Sequence, residues 1–110
     1  MNWIEIKAAE QLEEIRIRST RTPQLIFKHS TRCVISVMIK SRLERSETPS
    51  GVDFYYLDLL EYRPISNLIA ESFNVHHQSP QILLIQNGEC VYEESQNAIS
   101  MDDIIEQIKN

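Results

Sequence analysis

Thiols are scarce in this chain. Its 110 residues carry two cysteines, Cys33 and Cys90, and they form no Cys-x-x-Cys pair. That is too few for a disulfide-stapled scaffold, and no His-x3-His spacing joins them to make a zinc site. Long apolar runs are also missing, since no stretch approaches the ~20 residues that a membrane-spanning helix needs. The start, Met1-Asn2-Trp3-Ile4-Glu5, lacks the basic-then-apolar layout of a secretion signal. Few cysteines and no signal lead us to expect a cytoplasmic setting. Basic excess is absent too: 11 Lys and Arg face 16 Asp and Glu, for a net charge of −5. Nucleic-acid affinity comes largely from neutralising phosphates, so an acidic chain without a basic stripe argues against that partner. The densest basic set, Arg16, Arg18 and Arg21, reads as a solvated face that complements a helix C-terminus. There are no internal repeats and no low-complexity segment.

The remaining composition, 42% hydrophobic and 25% charged, is that of a globular chain, and the length suits a single domain over 1–110. Hydrophobic spacing predicts a strand at Trp3 to Ile6 and a helix from Ala8 to about Arg18 with Ala8, Leu12 and Ile15 on one face. Gln24 to Lys28 is an apolar run of strand length. Val34 to Arg45 has helical spacing, with an expected apolar face of Val34, Ile35, Met38, Ile39 and the Arg42 stem. Ser46 to Gly51 is a loop on composition. Val52 to Leu57 reads as a strand, and Arg63-Pro64 as a helix start, because proline fits the first turn. That helix presents Ile65, Leu68, Ile69 and Phe73 and ends near Asn74. Ile82 to Ile85 is a buried strand. Asn87-Gly88 is a two-residue hairpin turn. Glu89 to Glu93 returns beside it, with Cys90 and Tyr92 expected on one face and Val91 on the other. Ser100-Met101-Asp102-Asp103 starts a last helix carrying Ile104, Ile105 and Ile108. Early strand–helix alternation implies parallel βαβ units, and the hairpin adds an antiparallel pair. The result is an α/β fold with a mixed central sheet flanked by helices.

In this plan Cys33 falls at a strand-to-helix junction. Unpaired amides and the positive end of the helix dipole favour the thiolate, which is the nucleophilic form. Ser36 stands three residues on, where a dithiol site would carry its second cysteine. The element order, the cysteine at the second helix and Pro80 just before the penultimate strand together resemble the thioredoxin fold. More narrowly, Phe27-Lys28-His29-Ser30-Thr31, Cys33, Ile35-Ser36, Glu71-Ser72-Phe73 and His76-His77-Gln78-Ser79-Pro80-Gln81 resemble the YtxJ-type monothiol bacilliredoxins, over essentially the whole chain. Members of that family usually carry Thr-Cys-Pro-Ile-Ser; here Arg32 replaces the threonine and Val34 the proline.

The resemblance implies a monothiol disulfide oxidoreductase that takes a low-molecular-weight thiol, bacillithiol, from S-thiolated client proteins. Cys33 would be the nucleophile, aided by Ser36 and Arg32. A cis Ser79-Pro80 bond would form the facing wall and the ligand's backbone partner, with Thr31, Val34 and His29 as further substrate contacts. No cofactor beyond the small thiol, no metal, no nucleic acid and no membrane partner is implied. Other readings of these residues stand beside this one. Cys33 also has a reading as a buried inert thiol, which its junction position disfavours, and Ser36 one as a filler of the first helical turn. His29 reads as a structural histidine bonding the loop, and Cys90 as a small core side chain. A thioredoxin-fold binding module using the groove near Pro80 is the rival function, since fold alone does not imply activity.

Overall fold

A computed structural model describes residues 1–109. The strands are β1 (Trp3–Glu5), β2 (Gln24–His29), β3 (Asp53–Asp58), β4 (Gln81–Gln86) and β5 (Glu89–Ser95). The helices are α1 (Glu10–Arg18), α2 (Val34–Arg45), α3 (Arg63–Ser72) and α4 (Met101–Lys109), with a 3-10 turn at Gln96–Ala98 before α4. All five strands form one sheet in the order β1-β3-β2-β4-β5. β3 runs parallel to β1 and β2, whereas β4 is antiparallel to both β2 and β5.

β2 is the central strand and is buried along its whole length. Alternation along a strand sends successive side chains to opposite faces. Leu25 and Phe27 therefore join Ile39 and Leu43 of α2, Ile82, Leu84 and Ile104 on one face. Ile26 joins Leu12 and Ile15 of α1, Ile65 and Ile69 of α3 and Leu83 on the other. The Asn87-Gly88 turn has positive φ at both residues, 54° and 81°, as a primed hairpin turn requires. At the start of α4, Ser100 Oγ accepts the Asp103 amide at 3.2 Å.

Three expectations change. The buried stripe of α2 is Ser36, Ile39 and Leu43, not a face built on Val34, Ile35 and Met38. Val34 is 73% and Met38 61% exposed, so the apolar start of this helix faces outward. Spacing misled because α2 is apolar on both sides of its first turns, and a serine occupies a core-facing position. In β5 the register shifts between Leu84 and Ile85, which pair with Tyr92 and Cys90 respectively. This bulge leaves Val91 unpaired and sends Cys90 and Tyr92 to opposite faces. Finally, Arg16 is half-buried and tied to the protein rather than simply part of a solvated face. Its guanidinium donates to Gly88 O at 2.6 Å and Ser72 O at 3.0 Å, and lies 4.7 Å over the Phe73 ring.

Candidate active site

β2 ends at His29, where the His29 carbonyl accepts the Leu59 amide at 3.0 Å. The chain then turns, and the Cys33 amide donates to Ser30 O at 3.2 Å. Cys33 takes extended backbone angles and occupies the cap position of α2, its carbonyl accepting the Val37 amide at 3.0 Å. The first amides of a helix have no intrahelical acceptor. Those of Val34, Ile35 and Ser36 therefore gather at the turn that carries the half-buried Cys33 thiol. Such a terminus, on a helix of 12 residues, suits a negative charge.

Ser36 is fully buried. Its Oγ lies 2.7 Å from His29 Nδ1 and accepts the Ser30 amide at 3.0 Å. It makes no hydrogen bond to Cys33 among the described residues, so its bonds hold the turn rather than reach the sulfur. His29 is 5% exposed and stacks on Phe27, with centroids 5.6 Å apart. Burial, then the Lys40 charge, push its pKa down, so it is neutral near pH 7. The buried ring thus braces the end of β2 and also lines the groove beside Thr31. Arg32, Thr31 and Val34 are exposed around the thiol, and Arg32 makes no ion pair among the described residues. Thr31 and Val37 border an open groove of about 580 Å³ walled by Trp3, Tyr56 and the Lys40–Glu44 pair.

Across β2, the antiparallel register pairs Lys28 with Gln81. One step further sets Pro80 level with His29, at the end of the sheet where Cys33 lies. The Ser79-Pro80 bond is cis; Pro80 is buried and Ser79 half-buried. Two residues that sequence reasoning left without a role bond to the segment 76–78 that leads into this wall. Gln81 Nε2 donates to His76 O at 2.9 Å and to Glu93 Oε2 at 3.0 Å. Lys28 is fully buried, and its Nζ donates to Ser66 O and to His77 Nδ1, each at 3.2 Å. Burial lowers the Lys28 pKa to about 8. The signal in the sequence was a lysine inside a strand buried on both sides. Its partner, His77, lies 49 residues away and was not legible.

Cys90 sits at the far end of the sheet. It pairs with Ile85, which pairs with Gln24 at the start of β2, five residues from His29. At about 3.3 Å per residue that is on the order of 17 Å along the strand. Its Sγ lies 3.3 Å from Tyr92 O, and burial pushes its thiol pKa up. Both cysteines are free, and no cluster of metal-binding side chains occurs among the described residues. Nor is any helix among them long and apolar enough to cross a membrane.

One half-buried thiol at a helix start, at the same end of this mixed sheet as a cis-proline, defines a thioredoxin-fold redox protein of the one-cysteine kind. Comparison agrees. The chain is similar in structure to a protein described as a candidate oxidoreductase with a thioredoxin fold, at 27% identity and TM-score 0.83, covering 96% of this chain and 92% of that one. It is also similar to thioredoxin from Trypanosoma brucei brucei, at 18% identity and TM-score 0.75, covering 99% and 93%. Malassezia sympodialis thioredoxin matches at 19% identity and TM-score 0.73, covering 98% and 90%. The model of the family described as monothiol bacilliredoxin BrxC matches residues 4–104, and the chain belongs to that family. The thioredoxin-like fold and the family expected from the motifs are therefore both shown.

Proposed function

We propose that the protein removes a low-molecular-weight thiol, bacillithiol, from mixed disulfides of cytoplasmic client proteins. The Cys33 thiolate attacks the small-thiol sulfur of the client's mixed disulfide. The client's thiolate leaves, and Cys33 holds the small thiol as its own mixed disulfide. A second small thiol, as its thiolate, then attacks that adduct, releasing the symmetrical small-molecule disulfide and restoring Cys33. The route needs no resident metal or organic cofactor. Amides at the start of α2 stabilise the thiolate, and Arg32 adds positive charge beside it. Ser79 offers backbone hydrogen bonds to the incoming ligand, as an added strand would, with Thr31 and Val34 flanking it.

The observation that carries this reading is the separation of the two thiols. Cys33 caps α2 at one end of the sheet, and Cys90 lies half-buried at the other. Cys33 therefore has no resolving partner in its own chain, and a small thiol is the natural one. The test is to mix the protein with an S-bacillithiolated client and follow client thiol content and protein mass. We expect one small-thiol adduct per chain, located on Cys33. If wild type frees the client no faster than Cys33→Ser, the proposal is overturned and the non-catalytic binding module near Pro80 takes its place.

A further inference from the structure

Lys28 is a charged side chain in the most buried strand of the molecule, fully covered and without a carboxylate partner among the described residues. Burial of a charge is costly unless it is paired and hydrogen-bonded. An ammonium only donates, so the short contact makes His77 Nδ1 the acceptor and leaves the ring proton on Nε2. Ser66 of α3 closes the arrangement, its carbonyl accepting from Lys28 at 3.2 Å and its Oγ lying 3.5 Å from the same His77 nitrogen. His77 itself is exposed on its outer side and stands two residues before Ser79. The cross-strand partner of Lys28, Gln81, holds the neighbouring residues: it donates to His76 O and accepts the Gln78 amide at 3.3 Å. One pair of facing strand residues thus grips residues 76–78 from below.

We propose that Lys28, acting through neutral His77, is a positioning residue that sets the Ser79-Pro80 wall for ligand binding, and that protonation of His77 releases it. The proposal rests on the functional reading above, in which Ser79 supplies the ligand's backbone partner. The charges bearing on His77 are Lys28 from β2 and Arg63 from α3, both cationic; from β4 the neighbour is Gln81, whose other bond goes to Glu93 of β5. Burial and then these cations hold the His77 pKa below its ordinary value. Above that pKa the ring accepts from Lys28. Below it, an imidazolium faces an ammonium, and the contact breaks. Loss of the Lys28 proton near pH 8 does not break it, because a neutral amine still donates.

The test needs a readout that does not depend on turnover. The Ser79 amide resonance of the substrate-free protein is followed from pH 7.5 to 5. It should show an inflection below the ordinary histidine value of about 6.5, lose it in His77→Gln, and show it weakened and moved to higher pH in Lys28→Met, where the cation that the imidazolium repels is gone. In parallel, client de-modification is measured for wild type and His77→Gln across the same range. Any pH effect that both proteins share cancels in their ratio. With each protein scaled to its rate at pH 7.5, that ratio should fall on the order of threefold or more at the acid end, through KM rather than kcat. His77→Gln is an exposed-side change and keeps an amide oxygen to accept from Lys28, so it answers even if Lys28→Met does not fold. A Ser79 resonance blind to His77, or a flat ratio, overturns the proposal. Cys33→Ser should lose transfer yet keep the Ser79 inflection. Failure of the catalytic reading and failure of this one are therefore distinguishable.

Discussion

The two ends of the sheet use polar groups differently. At the end of β2 that leads to α2, the buried groups Lys28, His29 and Ser36 bond to histidines, a backbone amide and a carbonyl, with no carboxylate among their hydrogen-bond partners. At the opposite end, Gln24, also fully buried, is satisfied completely. It accepts from Tyr55 at 2.7 Å and donates to Asp53 at 2.8 Å, and Asp53 in turn takes Arg18 at 2.9 Å. One end ties its buried amide into an ion pair, Asp53 with Arg18, whereas the Lys40–Glu44 pair at the other is not hydrogen-bonded to the buried groups there. The other keeps unpaired amides, an uncompensated ammonium and an exposed apolar rim around a thiol. A structure selected for stability alone would have made both ends like the first.

Substitution of the two thiols should break this comparison most sharply. Cys33→Ser is expected to abolish transfer, a loss beyond about a thousandfold, because a serine hydroxyl without an adjacent base is too weak a nucleophile. Cys90→Ser should leave the rate within about twofold, since that thiol is remote from the site. Initial rates of client de-modification on both variants decide it.

Next in size is the stability imposed by the buried lysine. The Lys28 pKa is about 8 in the folded protein against 10.5 unperturbed, so between these values the unfolded chain binds more protons. Stability attributable to this group therefore rises with pH across that window, by on the order of 3 kcal/mol, and is absent below it. Denaturant unfolding of wild type and Lys28→Met should show the variant relatively most stable near pH 7, with its advantage shrinking from pH 8 to 10.5. A constant difference across that range would remove the argument that Lys28 is held against a stability cost.

A third change sharpens the view of Ser36. Ser36→Ala leaves the buried Ser30 amide without its acceptor, and about 1–3 kcal/mol of stability should go with it. Loss of transfer in proportion to the unfolded fraction alone would place Ser36 in the turn. A rate defect in fully folded protein would place it at the sulfur.

The smallest expected effect separates the thiols by chemistry alone. Iodoacetamide should modify Cys33 at least about tenfold faster than Cys90, whose thiol is held protonated by burial. Peptide mapping after partial alkylation measures the ratio.

Most of the scaffold was legible in the sequence because it is locally encoded. The run Val34–Arg45, the Asn87-Gly88 turn and the Arg63-Pro64 helix start all match the observed elements. Position of the thiol at the start of α2 followed from that local code. What escaped depends on contacts between distant residues. The direction of Arg16 is fixed by carbonyls 56 and 72 residues away, and the partner of Lys28 lies 49 residues on. The face of Cys90 depends on one bulge, because a single inserted residue inverts the alternation after it. The outward apolar side of α2 was misread for another reason: periodicity reports which residues are apolar, not which of them the core claims.

Arg16 carries a consequence for the order in which the chain assembles. One guanidinium ties α1 to the end of α3 and to the hairpin turn, across the longest sequence separations of any side-chain bond it makes. Contacts that close long loops carry the greatest entropic cost before they are rewarded, so this clasp is expected to form after the folding barrier is crossed. Its removal should then leave the refolding rate almost untouched and hasten escape from the native state instead. Measured by rapid mixing, Arg16→Met would raise the unfolding limb alone. The clasp thereby governs how long the native molecule lasts more than how quickly it is made.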